Sequence, residues 1–134
     1  MSLATIRAAL ESRLNGIASP LPTAWEAMHY SPTEGTAWQR VRLLLNDPID
    51  HAVTSDVVER RGLLEVVLYY PSGSGSSAAA VRAQAIADRF APVQNLTSGS
   101  TTVQINATAR IGSGFVFEAW YVVPITVPWV SFTG

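Results

Sequence analysis

The chain has 134 residues, of which 48% are hydrophobic and 14% charged, with a formal net charge of −1 and a mean hydropathy of +0.20. That length closes one core, so a single domain over 1–134 is expected. The near-zero charge leaves no electrostatic footprint for nucleic acid, and the lack of cysteine excludes disulfides and thiolate catalysis. No apolar run approaches the roughly 20 residues of a membrane helix.

A chain this poor in charge has apolar surface to hide, and a partner subunit is one place for it. All nine basic residues are arginine. The guanidinium is a good interface cation because it is planar, weakly hydrated and bidentate; an arginine-biased codon usage produces the same pattern.

In chain order, Ser2 reads as an N-cap, and Leu3, Ile6, Leu10, Leu14 and Ile17 fall on one helical stripe that Asn15-Gly16 ends. Glu11 and Arg13 in this segment depart from a signal peptide, so assembly in the cytoplasm is expected. Pro20 and Pro22 mark a rigid loop, a short strand is expected at 24–30, and "SPTEG" reads as a turn. A second strand is expected at 37–45. Residues 46–61, "NDPIDHAVTSDVVERR", are polar and aperiodic, a long loop or flap. A strand at 62–70 then runs into "PSGSGSS" and an alanine-rich helix at 77–90. After a polar turn come strands at 101–111 and 115–123. The last segment, "ITVPWVSF", has Pro124 and Pro128 around it, which suits a sheet edge. The order α-β-β-β-α-β-β-β is that of an α+β fold, a mainly antiparallel sheet with both helices on one face.

Strand alternation assigns the faces. Val41, Leu43 and Leu45 share one side with Leu64, Val66, Leu68 and Tyr70, and with Val103, Ile105, Ala107 and Ala109. The other side carries Arg40 and Arg42 on one strand and Glu65 on another, with Glu118 and Arg110 on later strands able to pair across the ladder. Trp38, Leu44, Leu63, Val67, Tyr69 and Trp120 make that side half apolar. Two readings fit it: a contact between subunits, or cover by residues 46–61 of the same chain.

The glycine-serine loop resembles a phosphate cradle. A Walker loop needs lysine, which the chain lacks, and the GxGxxA spacing of "GSGSSA" needs a parallel βαβ unit ending in an acid. The following strand ends instead in Arg110, so the loop reads as a flexible connection in which serine caps the helix. His29 and His51 stand in no metal-ligand spacing; His51 with Asp47, Asp50 and Asp56 makes a solvated acidic loop. No nucleophile elbow surrounds any serine. Trp25, Trp38, Trp120 and Trp129 lie on different elements and serve core and interface, and no positive groove accompanies them for single strands. Catalytic, cofactor-binding and metal residues are therefore all assigned as none, and no enzyme is expected.

"TAWEAMHYSPTEGTAWQRVRLL", "RRGLLEVVLYYPSGSGSSAAAVRAQAIADRF" and "WYVVPITVPW" together resemble the tail terminator family of long-tailed bacteriophages, the lambda-type tail completion proteins. Trp25-Glu26, Pro32, Gly62, Tyr70-Pro71, Gly73, Gly75 and Phe90 match its pattern. The resemblance implies a virion protein, phage- or prophage-encoded, that caps the tail tube at its head-proximal end as a hexameric ring. Its partners would be itself, the tail tube protein and the head-tail connector, with DNA passing unbound through the lumen and no membrane. The candidate interface residues are Trp38, Arg40, Arg42, Arg60, Arg61, Glu65, Ser72, Gly73, Ser74 and Gly75. Another head-tail joining protein, or a small-molecule-binding α+β domain, remain the alternatives.

Overall fold

The computed structural model describes residues 3–46, 49–50 and 58–133. The Ser2 cap and the acidic loop around His51 fall outside them. Two helices of 13 residues, α1 (Leu3–Asn15) and α2 (Ser77–Arg89), pack on the same face of one sheet. On α1 the buried stripe is Ile6, Ala9, Leu10 and Leu14; Leu3, expected on it, is exposed at the helix start. On α2 it is Ala79, Ala83 and Ile86, with Phe90 following. Small residues on α2 let that helix sit close to the strands beneath it.

The strands are β1 (Thr23–Ala24), β2 (Trp38–Leu45), β3 (Ile49–Asp50), β4 (Val58–Pro71), β5 (Gln94–Ser98), β6 (Thr101–Ile105), β7 (Arg110–Ile111), β8 (Phe115–Phe117) and β9 (Trp120–Thr133). Among the described residues they run β1-β2-β4-β9-β6-β5, with β3 on β4 and both β7 and β8 on β9. The class is α+β and the sheet is antiparallel except for β1, which pairs parallel to β2. The core face carries Val41 and Leu43, Leu64, Val66 and Leu68, Val103 and Ile105, and Val123, Ile125, Val127 and Trp129. Leu45 and Ala107, expected there, are exposed because each lies where its strand has ended or is ending.

Several boundaries differ from the sequence expectation. The segment expected as a strand at 24–30 is β-paired only at Thr23–Ala24. The end of the expected flap is strand, because β4 begins at Val58 and β3 pairs with it through Ile49↔Glu59. The polar turn after α2 contains β5, a hairpin partner of β6 closed by Ser98↔Thr101. Glu118, expected on a strand opposite Arg110, sits in the two-residue turn between β8 and β9.

The largest correction is β9. Pro124 and Pro128 lie in a strand with neighbours on both flanks, not at an edge. Pro124 accepts a 2.8 Å bond from the Gly112 N–H, so its missing donor faces the same flank. There the β7 ladder has stopped at Ile111↔Ile125. Backbone polarity alternates along a strand, so Pro128 turns its missing donor the same way. That flank is vacant between the β7 pairing at Thr126 and the β6 pairing at Val130. Both prolines thus coincide with breaks among the short strands β6, β7 and β8, and the β4 ladder loses nothing.

Polar groups lock the two layers together. Arg13 Nε donates to the Arg89 carbonyl at 3.0 Å and Arg89 Nε to the Arg13 carbonyl at 2.9 Å, so each arginine satisfies the last turn of the other helix. Burial, then the neighbouring charge of Arg89, lowers the Arg13 pKa. Buried Arg82 of α2 donates to the Ala18 and Ser19 carbonyls and ties down the loop after α1. Glu26 accepts from the Leu43 N–H and from Arg7, both at 2.9 Å. It stands in for a backbone partner where β1 stops covering the β2 edge.

Gly62 lies between Leu45 and Trp129 in register. A Cβ there would collide with the Leu44 carbonyl oxygen and come 3.0 Å from Trp129 Cζ2. Gly62→Ala is expected to cost roughly 2–4 kcal/mol, read by denaturant unfolding, because neither backbone nor a buried indole can yield. The Leu43 N–H first, then Arg7, hold the Glu26 carboxyl below its ordinary pKa, against desolvation. Stability from a depressed carboxylate is present above its unfolded pKa and is lost as pH falls through the folded one. Glu26→Gln is therefore expected to cost about 1 kcal/mol at neutral pH. Urea titrations should show the gap from wild type closing on acidification.

Candidate functional site

Alternation turns every second residue of β2, β4 and β9 away from the helices. Trp38, Arg40, Arg42 and Leu44 of β2 lie beside Arg61, Leu63, Glu65, Val67 and Tyr69 of β4, and next to Pro124, Thr126 and Pro128 of β9. None of these belongs to the main core cluster. Leu44, Leu63, Val67, Pro124 and Pro128 are half-buried, and among the described residues no layer covers them; the expected cover by residues 46–61 falls largely outside the described residues. Arg42 and Glu65 face each other in register and pair at 3.3 Å. Arg61 bonds Glu59, whose side chain is buried. Arg60, adjacent in sequence, points to the opposite side of β4, so the two arginines do not form one patch.

At one end of this face Trp38 is only 4% exposed. Tyr69 stacks on it at 4.1 Å and 7°, Tyr30 covers it at 5.1 Å, and Trp120 meets it edge-on at 6.0 Å. The Arg40 guanidinium carbon stands 5.3 Å from the Trp38 ring centroid, a cation-π distance. Trp38 and Trp120 thus meet on this face, whereas Trp129 is in the core and Trp25 packs against it. Tyr30 was not legible as part of the stack, because it comes from an irregular segment. The pairing of Tyr69 with Trp38 follows from register alone. His29 lies in that segment outside any strand, with Ser31 Oγ at 3.2 Å from its Nε2.

The glycine-serine loop lies at the same end of the sheet. The Ser72 N–H donates to the Ala119 carbonyl at 2.9 Å, and Ser74 Oγ to the Pro71 carbonyl at 2.7 Å. Gly73 and Gly75 both have φ of 87°, a left-handed conformation that favours glycine, with open space where a Cβ would be. Ser76 is the N-cap residue of α2, yet its side chain makes no capping bond, contrary to expectation. The strand after α2, β5, is antiparallel to β4 and three places away, so the parallel unit of a dinucleotide site is not formed. Beside the loop is the β8–β9 hairpin, in which Phe115, Val116 and Phe117 are 51%, 66% and 56% exposed. A groove of about 320 Å3 runs between α2 and a wall made by Ile111, the following glycine loop and β9, and its polar side chains are Ser76, Gln84 and Tyr121. Among the described residues no group of three or more His, Cys, Asp or Glu could hold a metal ion. None of their helices is long and apolar enough to cross a membrane. The chemistry of this arrangement is that of contact: apolar area, paired charges and an exposed hairpin.

A family model described as phage tail terminator protein matches residues 5–129. The chain belongs to the phage tail terminator family. As a tail terminator it is a structural protein of the virion tail. A solved structure with 25% sequence identity superposes with a TM-score of 0.81, covering 100% of this chain and 97% of the other. No curated protein matches the sequence.

The site separates residues that hold the tail terminator fold from residues that face outward. Trp38→Ala is expected to cost about 3–5 kcal/mol in chemical denaturation, because it empties the centre of the aromatic stack. Arg42→Gln removes a solvent-facing ion pair and is expected to change stability by less than about 1 kcal/mol.

Proposed function

We propose that this chain caps the phage tail tube as a ring, stops tube polymerisation, and offers the head connector its docking surface at the head-proximal end of the tail. The observation that carries the reading is the second sheet face, which joins half-buried Leu44, Leu63, Val67, Pro124 and Pro128 to the Arg42–Glu65 pair, with both described helices on the other face. A half-apolar surface with paired charges suits a contact between folded subunits, and the family supplies the setting. The ring is a homo-hexamer assembled in the bacterial cytoplasm. Its partners are the tube protein on one side and the neck on the other. The near-zero net charge suits a lumen through which DNA slides without being gripped. The protein has no catalytic role and works as one domain.

Arg40, Arg42, Arg61 and Glu65 serve the contact on the sheet face, with buried Trp38 holding the aromatic stack behind Arg40; Arg60, on the opposite side of β4, belongs to a separate contact, and Ser72, Gly73, Ser74 and Gly75 form a further contact element beside the β8–β9 hairpin. Purified tube protein polymerised with this chain is expected to give tubes of arrested length with density at one end in negative-stain microscopy. Tubes that grow as though the chain were absent, together with binding to the portal side, would assign it to the neck instead. Arg42→Gln protein, still folded, is expected to cap fewer tubes.

A further inference from the structure

The β8–β9 hairpin is anomalous for a domain of this size. Its turn is the two residues Glu118-Ala119, with Glu118 at a φ of 55°. Phe115 and Phe117 point to one side of β8 and Val116 to the other, yet all three are more than half exposed. Both faces of the hairpin are therefore open to solvent, and among the described residues β8 is paired only with β9. An exposed apolar edge strand is a template for association unless something covers it. The β2 edge shows the opposite treatment, since the Glu26 carboxylate takes the Leu43 donor that a new strand would need.

Charge identifies the cover. Glu118 is the only charged residue after Arg110, so the hairpin presents apolar area with a single negative tip. The outward sheet face, which no layer covers among the described residues, has the converse pattern. Arg42 pairs with Glu65 and Arg61 with Glu59, which leaves Arg40 as the cation without a carboxylate partner among the described residues. Beside it lie Val67 and Pro124, with Leu63 four residues further along β4 on the same face. The hairpin cannot fold onto this face of its own chain. Its base residue Trp120 is already seated on it against Trp38, and the hairpin continues the same sheet. A second copy can.

We infer that the Phe115–Phe117 hairpin of one copy docks on the outward β2–β4–β9 face of the next, with its Glu118 carboxylate against the neighbour's Arg40. Because donor and acceptor surfaces differ, the contact is heterologous and generates a closed ring or an open helix. The inference deepens the ring proposed above and rests on it for closure, although the pairwise contact is testable by itself.

The absence of cysteine makes the test direct. Val116→Cys and Leu63→Cys chains, both altered outside the main core, are mixed and oxidised in solution and on tail tubes. A disulfide-linked dimer is expected from the mixture and from neither chain alone. No bond in either setting, or a bond from Val116→Cys alone, would overturn the contact. In sedimentation velocity, Glu118→Arg is expected to weaken self-association about tenfold, and Arg40→Glu in the same chain to restore it. A charge-swapped protein no better than Glu118→Arg would also overturn it. If the hairpin variant Phe117→Ser caps tubes and associates as wild type does, the hairpin contact fails and the terminator role survives. If the mixture crosslinks but wild-type protein never arrests tubes, the reverse holds.

Discussion

The antiparallel ladder between β4 and β9 is the constraint on which the rest depends. Each strand has 14 residues and they pair from Val58↔Thr133 to Pro71↔Trp120. Long ladders of this kind are rigid in register, because a slip of one residue would turn Leu64, Val66 and Leu68 to solvent. The ladder carries the core on one side, through Ile125, Val127 and Trp129. It carries the outward face on the other, through Leu63, Val67, Pro124 and Pro128. Gly62 is the small residue that allows Trp129 to lie across it.

From this ladder the two sides divide their labour. The helix side is closed by apolar packing and by the reciprocal bonds of Arg13 and Arg89, which join the ends of both helices. Among the described residues the outer side is closed at one end by the Trp38 stack, where aromatic contacts substitute for a covering layer, and Glu59 and Val130 are buried at the other. Most of the core is therefore carried by one face of these strands, and the outward-facing charges and half-buried apolar residues by the other. A tail protein that must fold before it meets its partners benefits from that separation, since contact residues can change with little effect on the core.

The sheet edges are managed unequally. Glu26 plugs β2, whereas β8 is left apolar and open. Arg7 holds the plug from α1, so the blocked edge is built into the helix packing. An edge kept free at that apparent risk of aggregation is what a protein needs when its neighbours arrive only during assembly.

The periodicities of the sequence determined the α+β class, both helices, and the inward faces of β2, β4 and β6, because local spacing suffices to place a residue on a stripe or a side. That Arg42 and Glu65 share the outward face followed from the same alternation, whereas their position opposite each other is a matter of register; the family resemblance was legible from short motifs such as Trp25-Glu26 and Tyr70-Pro71. Only the tertiary structure decided that β9 is central. Proline is excluded from a central strand by a missing donor, and whether that donor is missed depends on what lies opposite, which Gly112 and the gaps beside Thr126 reveal. It likewise decided that Arg60 and Arg61 diverge, that Tyr30 reaches Trp38, and that Phe115, Val116 and Phe117 stand exposed. Apolar composition says only that a residue gains by burial; what is available to bury it is a property of the assembled fold.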